Sequence, residues 1–159
     1  MTTLGSLAGK RKTSDEAENH RARTISGRER SAAASRKRVL IVDDNDTVRD
    51  VLAEFLNDAY AVDLAANAAT ALHRLSTHPA DLIMLDVNMP GTDGLTLLES
   101  IRDLGITAPI FVITGYDSEN VSRRATESGA TAYLVKPVDL RSLDAMIAQA
   151  LGVPPVLAG

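Results

Sequence analysis

The chain has 159 residues, of which 45% are hydrophobic, and a formal net charge of −4 at pH 7. That length fits one domain of about 100 to 150 residues plus a shorter segment. The chain contains no Cys, which excludes a disulfide framework and any Cys-based metal site. Its apolar stretches fall well short of the roughly 18 residues that a membrane span needs, and its first 12 residues lack the apolar centre of a secretory signal. We therefore expect a soluble cytoplasmic protein with no membrane span.

Charge is distributed very unevenly along the chain. Residues 1–38 contain ten Lys or Arg and four Asp or Glu, a net charge of +6; subtracting these from the totals of 17 and 21 leaves seven and 17, a net charge of −10. The basic segment has only Leu4, Leu7 and Ile25 as sizeable apolar side chains. Such a segment cannot bury enough surface to offset the entropy of ordering it. We expect residues 1–37 to be a disordered basic extension.

The remaining residues suit one folded domain at 38–151, followed by a short tail at 152–159. Two Phe, three Tyr and no Trp leave little aromatic surface on which bases could stack. The composition therefore does not favour nucleic acid as a partner of the folded domain.

Within that domain, short apolar runs alternate with stretches of helical spacing. The first run, 39–42, precedes a helix that Asp46 or Thr47 can cap, and a weaker strand at 61–66 precedes a helix capped by Asn67. The later elements follow the same alternation: a strand at 82–85, a helix at 94–104, a strand at 110–113, a helix at about 118–128, a strand at 132–135 and a helix from about 140 to 150.

Strand and helix thus alternate five times. Runs that are apolar throughout are typical of parallel strands buried on both faces. Right-handed crossovers between such strands produce a doubly wound α/β domain. We predict a five-stranded parallel sheet in the order 2-1-3-4-5, a flavodoxin-like (βα)5 three-layer sandwich.

Four of these runs end at residues that can handle phosphate or metal. Asp43 and Asp44 follow the first run, Asp86 the third, Thr114 the fourth and Lys136 the fifth. In doubly wound sheets, ligands bind outside the carboxyl ends of the strands. We therefore expect these five side chains to lie together at one edge of the sheet.

Their chemistry points to metal-assisted phosphoryl transfer. Three clustered carboxylates repel one another unless a cation lies among them, and oxygen ligands without His or Cys suit Mg2+. Lys136 and Thr114 would make the same pocket favourable for a phosphoryl group. One carboxylate can itself be the nucleophile. Asp86 is the better candidate, because it stands alone after its strand whereas Asp43 and Asp44 form a pair suited to metal.

Residues 38–151 resemble the receiver domain of two-component response regulators, most closely the stand-alone, chemotaxis-regulator-like type. The resemblance depends on four motifs: Val-Asp-Asp at 42–44, Leu-Asp-Val-Asn-Met-Pro-Gly-Thr-Asp-Gly at 85–94, Ile-Thr-Gly at 113–115 and Gly-Ala-Thr-Ala-Tyr-Leu-Val-Lys-Pro at 129–137.

This resemblance implies a role for each matching position. Asp86 would be the phosphoacceptor, in an aspartyl phosphate. Mg2+ would be held by Asp43 (mainly through water), Asp44, Asp86 and the backbone carbonyl of Asn88. The following residues would bind the phosphoryl oxygens: Thr114, Lys136, and the backbone N–H groups of Asn88 and Gly115.

The resemblance also implies how the signal would be passed on. Thr114 would move toward the phosphoryl group and Tyr133 would swing inward, changing the surface of helix 4, strand 5 and helix 5. The Lys136–Pro137 bond matches one that is cis in the family. Asn88 and Tyr116 occupy the two positions that tune hydrolysis of the phosphoryl group.

The implied partners are proteins. The phosphoryl group would come from a histidine kinase or a histidine phosphotransfer protein, and the changed surface would bind a downstream target. We expect a signalling phosphoacceptor rather than an ordinary enzyme. The chain ends nine residues after Ala150, so we expect a stand-alone regulator unless the chain is part of a longer protein. The sequence specifies neither kinase nor target, and it leaves phosphorylation-dependent homodimer formation open.

Two other functions stay open from the residues. Asp44-Asn45-Asp46-Thr47-Val48 after an apolar strand also resembles the first motif of haloacid-dehalogenase-type phosphatases, with Asp44 as nucleophile and Asp46 as acid/base. That family needs an acidic pair after the lysine, where this chain offers only Asp139. The second alternative is a receiver-like module that binds partners without being phosphorylated.

Overall fold

The structure is a computed structural model that describes residues 36–157. The predicted disordered extension lies outside the described residues, except for its last two positions. Over the described range, five strands alternate with five helices: β1 (Arg38–Val42), α1 (Asp46–Leu56), β2 (Ala61–Ala65), α2 (Ala68–Thr77), β3 (Leu82–Asp86), α3 (Gly94–Asp103), β4 (Ile110–Thr114), α4 (Glu119–Glu127), β5 (Ala132–Val135) and α5 (Leu140–Leu151). Among these helices, none is long and apolar enough to cross a membrane.

The strands form one parallel sheet in the order β2-β1-β3-β4-β5, which confirms the predicted topology. The register aligns the carboxyl ends of the strands. Val42, the last residue of β1, pairs with Ala65 on one side and Leu85 on the other. Asp86 pairs with Ile113, and the next residue of β4, Thr114, pairs with Val135. The polar residues at the strand ends are therefore brought to one edge.

Two apolar layers explain why residues 39–42 of β1, 82–85 of β3 and 110–113 of β4 are all apolar. Successive side chains of a strand point to opposite faces. Leu40 and Val42 accordingly pack in the core beside α2, α3 and α4, whereas Val39 and Ile41 pack in the core beside α1 and α5. Each such side chain contributes about 1.5–3 kcal/mol by its burial. The central strands β1, β3 and β4 are thus held firmly enough to position the residues that follow them.

The first helix begins one residue earlier than the sequence predicts. Asn45, not Asp46 or Thr47, is the N-cap: its backbone is extended, and its side-chain oxygen accepts the N–H of Val48. Asp46 already lies inside the helix, so its carboxylate is free to make another contact. The predicted cap of the second helix, Asn67, is confirmed, because its side chain accepts the N–H of Thr70.

Candidate functional site

The ends of the strands position the predicted site residues. Asp86 and Thr114 are the last residues of β3 and β4, while Asp43 and Lys136 directly follow β1 and β5. Backbone hydrogen bonds hold the two that lie beyond the strands: the N–H of Asp43 donates to the carbonyl of Ala65 (3.1 Å), and the N–H of Lys136 donates to the carbonyl of Thr114 (2.7 Å). The sheet therefore fixes the backbone positions from which these four side chains project.

Three carboxylates meet at this edge. Asp43, Asp44 and Asp86 each offer one oxygen, and these oxygens lie within 4.8 Å of one another. Asp43 and Asp86 are 3% and 4% exposed, whereas Asp44 is exposed to solvent. The backbone N–H of Asn45 donates to Oδ1 of Asp43 (2.9 Å). The structure thus brings together the acidic residues that the sequence predicts.

Lys136 bridges two of these carboxylates. Its Nζ lies 2.9 Å from Oδ2 of Asp43 and 3.2 Å from Oδ2 of Asp86. The Lys136–Pro137 bond is cis, as the resemblance predicts. Desolvation alone would lower the pKa of Lys136, but the hydrogen bond to Asp43 and the charge of Asp86 outweigh it, so the pKa lies above its ordinary value. A permanent cation therefore faces the acidic cluster.

The Asp86 carboxyl group is almost completely shielded from solvent. Burial raises its pKa above the ordinary value. The backbone N–H of Asn88, which donates to Oδ1 of Asp86 (2.9 Å), acts in the opposite direction, as does Lys136, while the charge of Asp43 raises the pKa further. A buried carboxylate with a raised pKa and a specific charge partner is typical of functional sites.

Thr114 is buried and makes three hydrogen bonds. Its Oγ1 accepts from Nδ2 of Asn88 (2.7 Å) and from the N–H of Tyr116 (3.2 Å), and it donates to the carbonyl of Tyr116 (2.9 Å). The hydroxyl of Tyr133 also lies near that carbonyl (3.5 Å) and accepts the N–H of Ser118 (3.3 Å). Thr114 and Tyr133 are therefore linked through one carbonyl group of the β4–α4 loop.

Two other predicted residues lie beside Thr114 in the chain. Gly115 leaves space toward Asn88, since a Cβ built on it would be 3.8 Å from Nδ2 of Asn88. The Tyr116 side chain is 76% exposed. Only its backbone takes part in the contacts described above, so its predicted role in tuning hydrolysis stays a prediction.

Arg49, on α1, is part of the site and is not predicted from the sequence. Its Nη1 donates to the backbone carbonyl of Asp43 (2.6 Å), and its Nη2 pairs with the carboxylate of Asp46. An acidic residue followed three positions later by Arg is a known helix pairing. That spacing could have indicated the ion pair, but not the contact with Asp43.

The residues present fit a hard divalent cation. All three clustered ligands are carboxylate oxygens, and no His or Cys from the described part of the chain belongs to the cluster. Such a set favours Mg2+, which is commonly held by one or two carboxylates together with water and phosphate oxygens. The lysine ammonium group lies against two of the three carboxyl groups, so its single charge offsets only part of theirs.

A doubly wound sheet with an acidic cluster, a lysine and a threonine at its carboxyl edge defines an α/β domain suited to binding phosphoryl groups and metal. Residues 39–148 match the family model of the response regulator receiver domain. The chain belongs to this family, and it is a receiver domain of two-component systems.

Curated relatives support the same family. The regulatory protein AtoC of Escherichia coli (strain K12) is 34% identical over 115 residues, which cover 72% of this chain and 25% of that protein. The response regulator MprA of Mycobacterium sp. (strain KMS) is 37% identical over 107 residues, which cover 67% of this chain and 46% of that protein. The chain therefore spans between a quarter and about half of the length of these relatives.

Solved structures show the same fold. A CheY-like response regulator receiver domain protein from Methanospirillum hungatei JF-1 superposes with a TM-score of 0.71 at 34% identity, covering 74% of this chain and 95% of that one. A two-component response regulator from Clostridium difficile also has a TM-score of 0.71, at 31% identity, covering 73% and 96% of the two chains.

Proposed function

We propose that this domain is the phosphoacceptor of a two-component phosphorelay, with Asp86 as the residue that is phosphorylated. The observation that carries the proposal is the position of the buried Asp86 carboxyl group, which lies beside the carboxylates of Asp43 and Asp44 and 3.2 Å from the ammonium group of Lys136. The donor would be a phosphohistidine of a histidine kinase or of a histidine phosphotransfer protein. The domain would act as a signalling protein that assists its own phosphorylation and its slow dephosphorylation. The predicted cytoplasmic location stays a prediction.

The transfer needs a nucleophile and charge stabilisation. A carboxylate oxygen of Asp86 attacks phosphorus, an acyl phosphate bond forms, and the P–N bond to the imidazole breaks with its electron pair retained by the imidazole nitrogen. Lys136 would then donate to a phosphoryl oxygen. Bound Mg2+ would neutralise charge on the phosphoryl oxygens; Asp44, Asp86 and the carbonyl of Asn88 would hold it, together with Asp43, which would act mainly through water.

The switch follows from the single proton of the Thr114 hydroxyl group. That proton is donated to the carbonyl of Tyr116, and it cannot be donated to a phosphoryl oxygen at the same time. When the Thr114 hydroxyl donates to a phosphoryl oxygen instead, its hydrogen bond to the carbonyl of Tyr116 is lost. The hydroxyl of Tyr133 can still donate to that carbonyl. The hydrogen bond from Tyr133 would then shorten, which favours an altered α4–β5–α5 surface.

This surface is the proposed output of the domain. It would bind a downstream protein, or a second copy of the chain if phosphorylation causes dimerisation. Asn88 and Tyr116 would tune the lifetime of the aspartyl phosphate, since they occupy the two positions to which the resemblance gives this role. Asn88 has a second reason to matter, because its amide group already donates to Thr114.

Labelling by a small phosphodonor tests the proposed acceptor. In the presence of Mg2+, acetyl phosphate should label the wild-type chain, and Asp86→Asn should abolish the label because the amide cannot act as the nucleophile. Asp58→Asn is the matched control: Asp58 is exposed and follows α1, so its loss should leave labelling unchanged. Peptide mapping of the trapped adduct identifies the modified aspartate.

The outcomes separate the proposal from its alternatives. A label that maps to Asp44 would instead support a haloacid-dehalogenase-type hydrolase with Asp46 as its acid/base. If neither acetyl phosphate nor a beryllium fluoride mimic produces any Mg2+-dependent change, the domain is a binding module that is not phosphorylated.

A further inference from the structure

Arg49 makes contacts that the proposed phosphoryl-transfer chemistry does not use. Its side chain is only 13% exposed, although it carries a full charge on the first turn of α1. Nη1 donates to the backbone carbonyl of Asp43 (2.6 Å), and Nη2 pairs with the carboxylate of Asp46. A planar guanidinium group can hold two acceptors in a fixed geometry, which a lysine ammonium cannot reproduce.

These contacts tie together the two ends of the β1–α1 loop. Asp43 begins the loop and Asp46 begins the helix, so the guanidinium group of Arg49 connects one end to the other. The backbone adds two further restraints: the N–H of Arg49 donates to the carbonyl of Asn45 (3.1 Å), and the N–H of Asn45 donates to Oδ1 of Asp43 (2.9 Å). Asp44 lies inside this closed loop.

This closure matters because it restricts the conformation of the loop, not because the ion pair contributes much energy. The carboxylate of Asp46 is 84% exposed, so its ion pair with Arg49 contributes little stability on its own. The contact with the carbonyl of Asp43 is different, because Asp43 is buried and its carboxylate belongs to the acidic cluster. Fixing that carbonyl restricts the backbone from which the carboxylates of Asp43 and Asp44 project.

We propose that Arg49 is a positioning residue that holds the β1–α1 loop in the conformation in which Asp43 and Asp44 can bind Mg2+. The inference rests on the proposed function, which requires that metal. Positioning and charge predict opposite changes in Mg2+ affinity when Arg49 is neutralised. A positive charge near a cation site opposes binding, so charge alone predicts tighter Mg2+ binding when Arg49 is neutralised. Positioning predicts weaker binding.

Calorimetric titration of the full chain with Mg2+ tests the inference. Arg49→Gln removes both the charge and the guanidinium group with its two donors. We expect the affinity for Mg2+ to fall by about tenfold to 100-fold, the range typical of groups that orient metal ligands. Arg49→Lys keeps the charge but offers one compact donor, and it should lie between the wild type and Arg49→Gln. Asp46→Asn keeps the contact between Arg49 and Asp43, and it should change the affinity by about twofold or less.

Arg123→Gln provides the control for charge. Arg123 is exposed on α4, and its substitution by Gln changes the net charge by the same amount without touching the β1–α1 loop. Its affinity for Mg2+ should stay close to that of the wild type. Thermal unfolding of each metal-free variant shows whether it is folded under the titration conditions; if Arg49→Gln is not, Arg49→Lys provides the decisive comparison.

The results distinguish this inference from the proposed function. Suppose that the wild type binds Mg2+ and that Arg49→Gln binds it equally well or more tightly. The positioning role is then overturned and the proposed function stands. If Arg49→Gln is unfolded, the same result with Arg49→Lys has the same meaning. If the wild type binds no Mg2+, both are overturned. Backbone amide exchange in metal-free protein gives a second readout: under the proposal, the N–H of Asn45 exchanges faster in Arg49→Gln and stays at the wild-type rate in Arg123→Gln.

Discussion

At the scale of single residues, Asp86 combines a reactive position with an unfavourable environment. Its carboxyl group is buried beside Asp43, and burial is the main reason that its pKa is raised. A raised pKa means that the folded protein holds the proton more tightly than the unfolded chain does. The contribution of Asp86 to stability is therefore fully present below the ordinary pKa of an aspartate, and it is lost as the pH rises through the raised value.

Metal-free stability should therefore depend on pH in a way that Asp86→Asn removes. As the pH rises from about 4 to 8, the free energy of unfolding of the wild type should fall relative to that of Asp86→Asn, which cannot ionise at this position. Urea unfolding at several pH values measures the difference. Added Mg2+ should reduce it, because a bound cation stabilises the ionised carboxylate. The same experiment on Asp58→Asn provides the control, and a difference between wild type and Asp86→Asn that is independent of pH would contradict the argument.

The sequence predicts the residues that follow buried strands and misses those that act through side-chain geometry. Asp86, Thr114 and Lys136 can be found because each ends an apolar run, and parallel strands bring their ends to one edge. The contacts of Arg49 with Asp43, and of Asn88 with Thr114, depend on side-chain rotamers. Rotamers are selected by packing around each loop, and neither periodicity nor spacing encodes that packing.

At the scale of elements, the start of α3 illustrates how closely a helix approaches the site. Gly94 is its first residue, and a Cβ placed there would lie 2.4 Å from Cα of Val87 and 2.8 Å from the carbonyl oxygen of Asp86. Both are backbone atoms, so no side chain can move aside to make room. The sequence places Gly94 at the start of a helix, but it does not reveal this contact, which depends on how α3 packs against the loop after β3.

Gly94→Ala should therefore disturb both stability and phosphorylation. The added methyl group must push α3 away from the segment after Asp86, and we expect a loss of about 1–3 kcal/mol in the free energy of unfolding. Acetyl phosphate labelling should also slow, because the carbonyl next to the acceptor is displaced. Gly115→Ala is the control for stability, since its Cβ would meet nothing closer than Asn88 at 3.8 Å. Equal stability of Gly94→Ala and the wild type in urea would show that the helix start shifts without cost.

Helix boundaries show the same division between what is and is not encoded locally. Asn67 is predicted and confirmed as the cap of α2, because only one residue there can cap. At the start of α1, three consecutive residues could each act as the N-cap, namely Asn45, Asp46 and Thr47. Asn45 becomes the cap, and this leaves Asp46 inside the first turn, where it pairs with Arg49. The local sequence permits several starts, and contacts across the loop favour one of them.

At the scale of the whole molecule, the strand order could be predicted because it depends on few choices. Five alternating strands and helices with right-handed crossovers leave a small set of topologies. The polar strand ends favour the one with its crevice between β1 and β3, where Asp43 and Asp86 meet. The basic segment before β1 follows none of these rules, since it has no periodic apolar pattern. Its contribution has to be measured.

Deleting residues 1–35 measures that contribution. The family match begins at residue 39, and the site residues described above all lie between 43 and 136. The shortened chain should therefore take the label from acetyl phosphate at a rate within about twofold of the full chain, because a small anionic donor needs only the pocket at the strand ends. Labelling at low and high salt extends the test, since any influence of the basic residues through their charge weakens as salt screens it. A large loss of labelling at both salt concentrations would mean that the phosphoacceptor site extends beyond the domain that the family match defines.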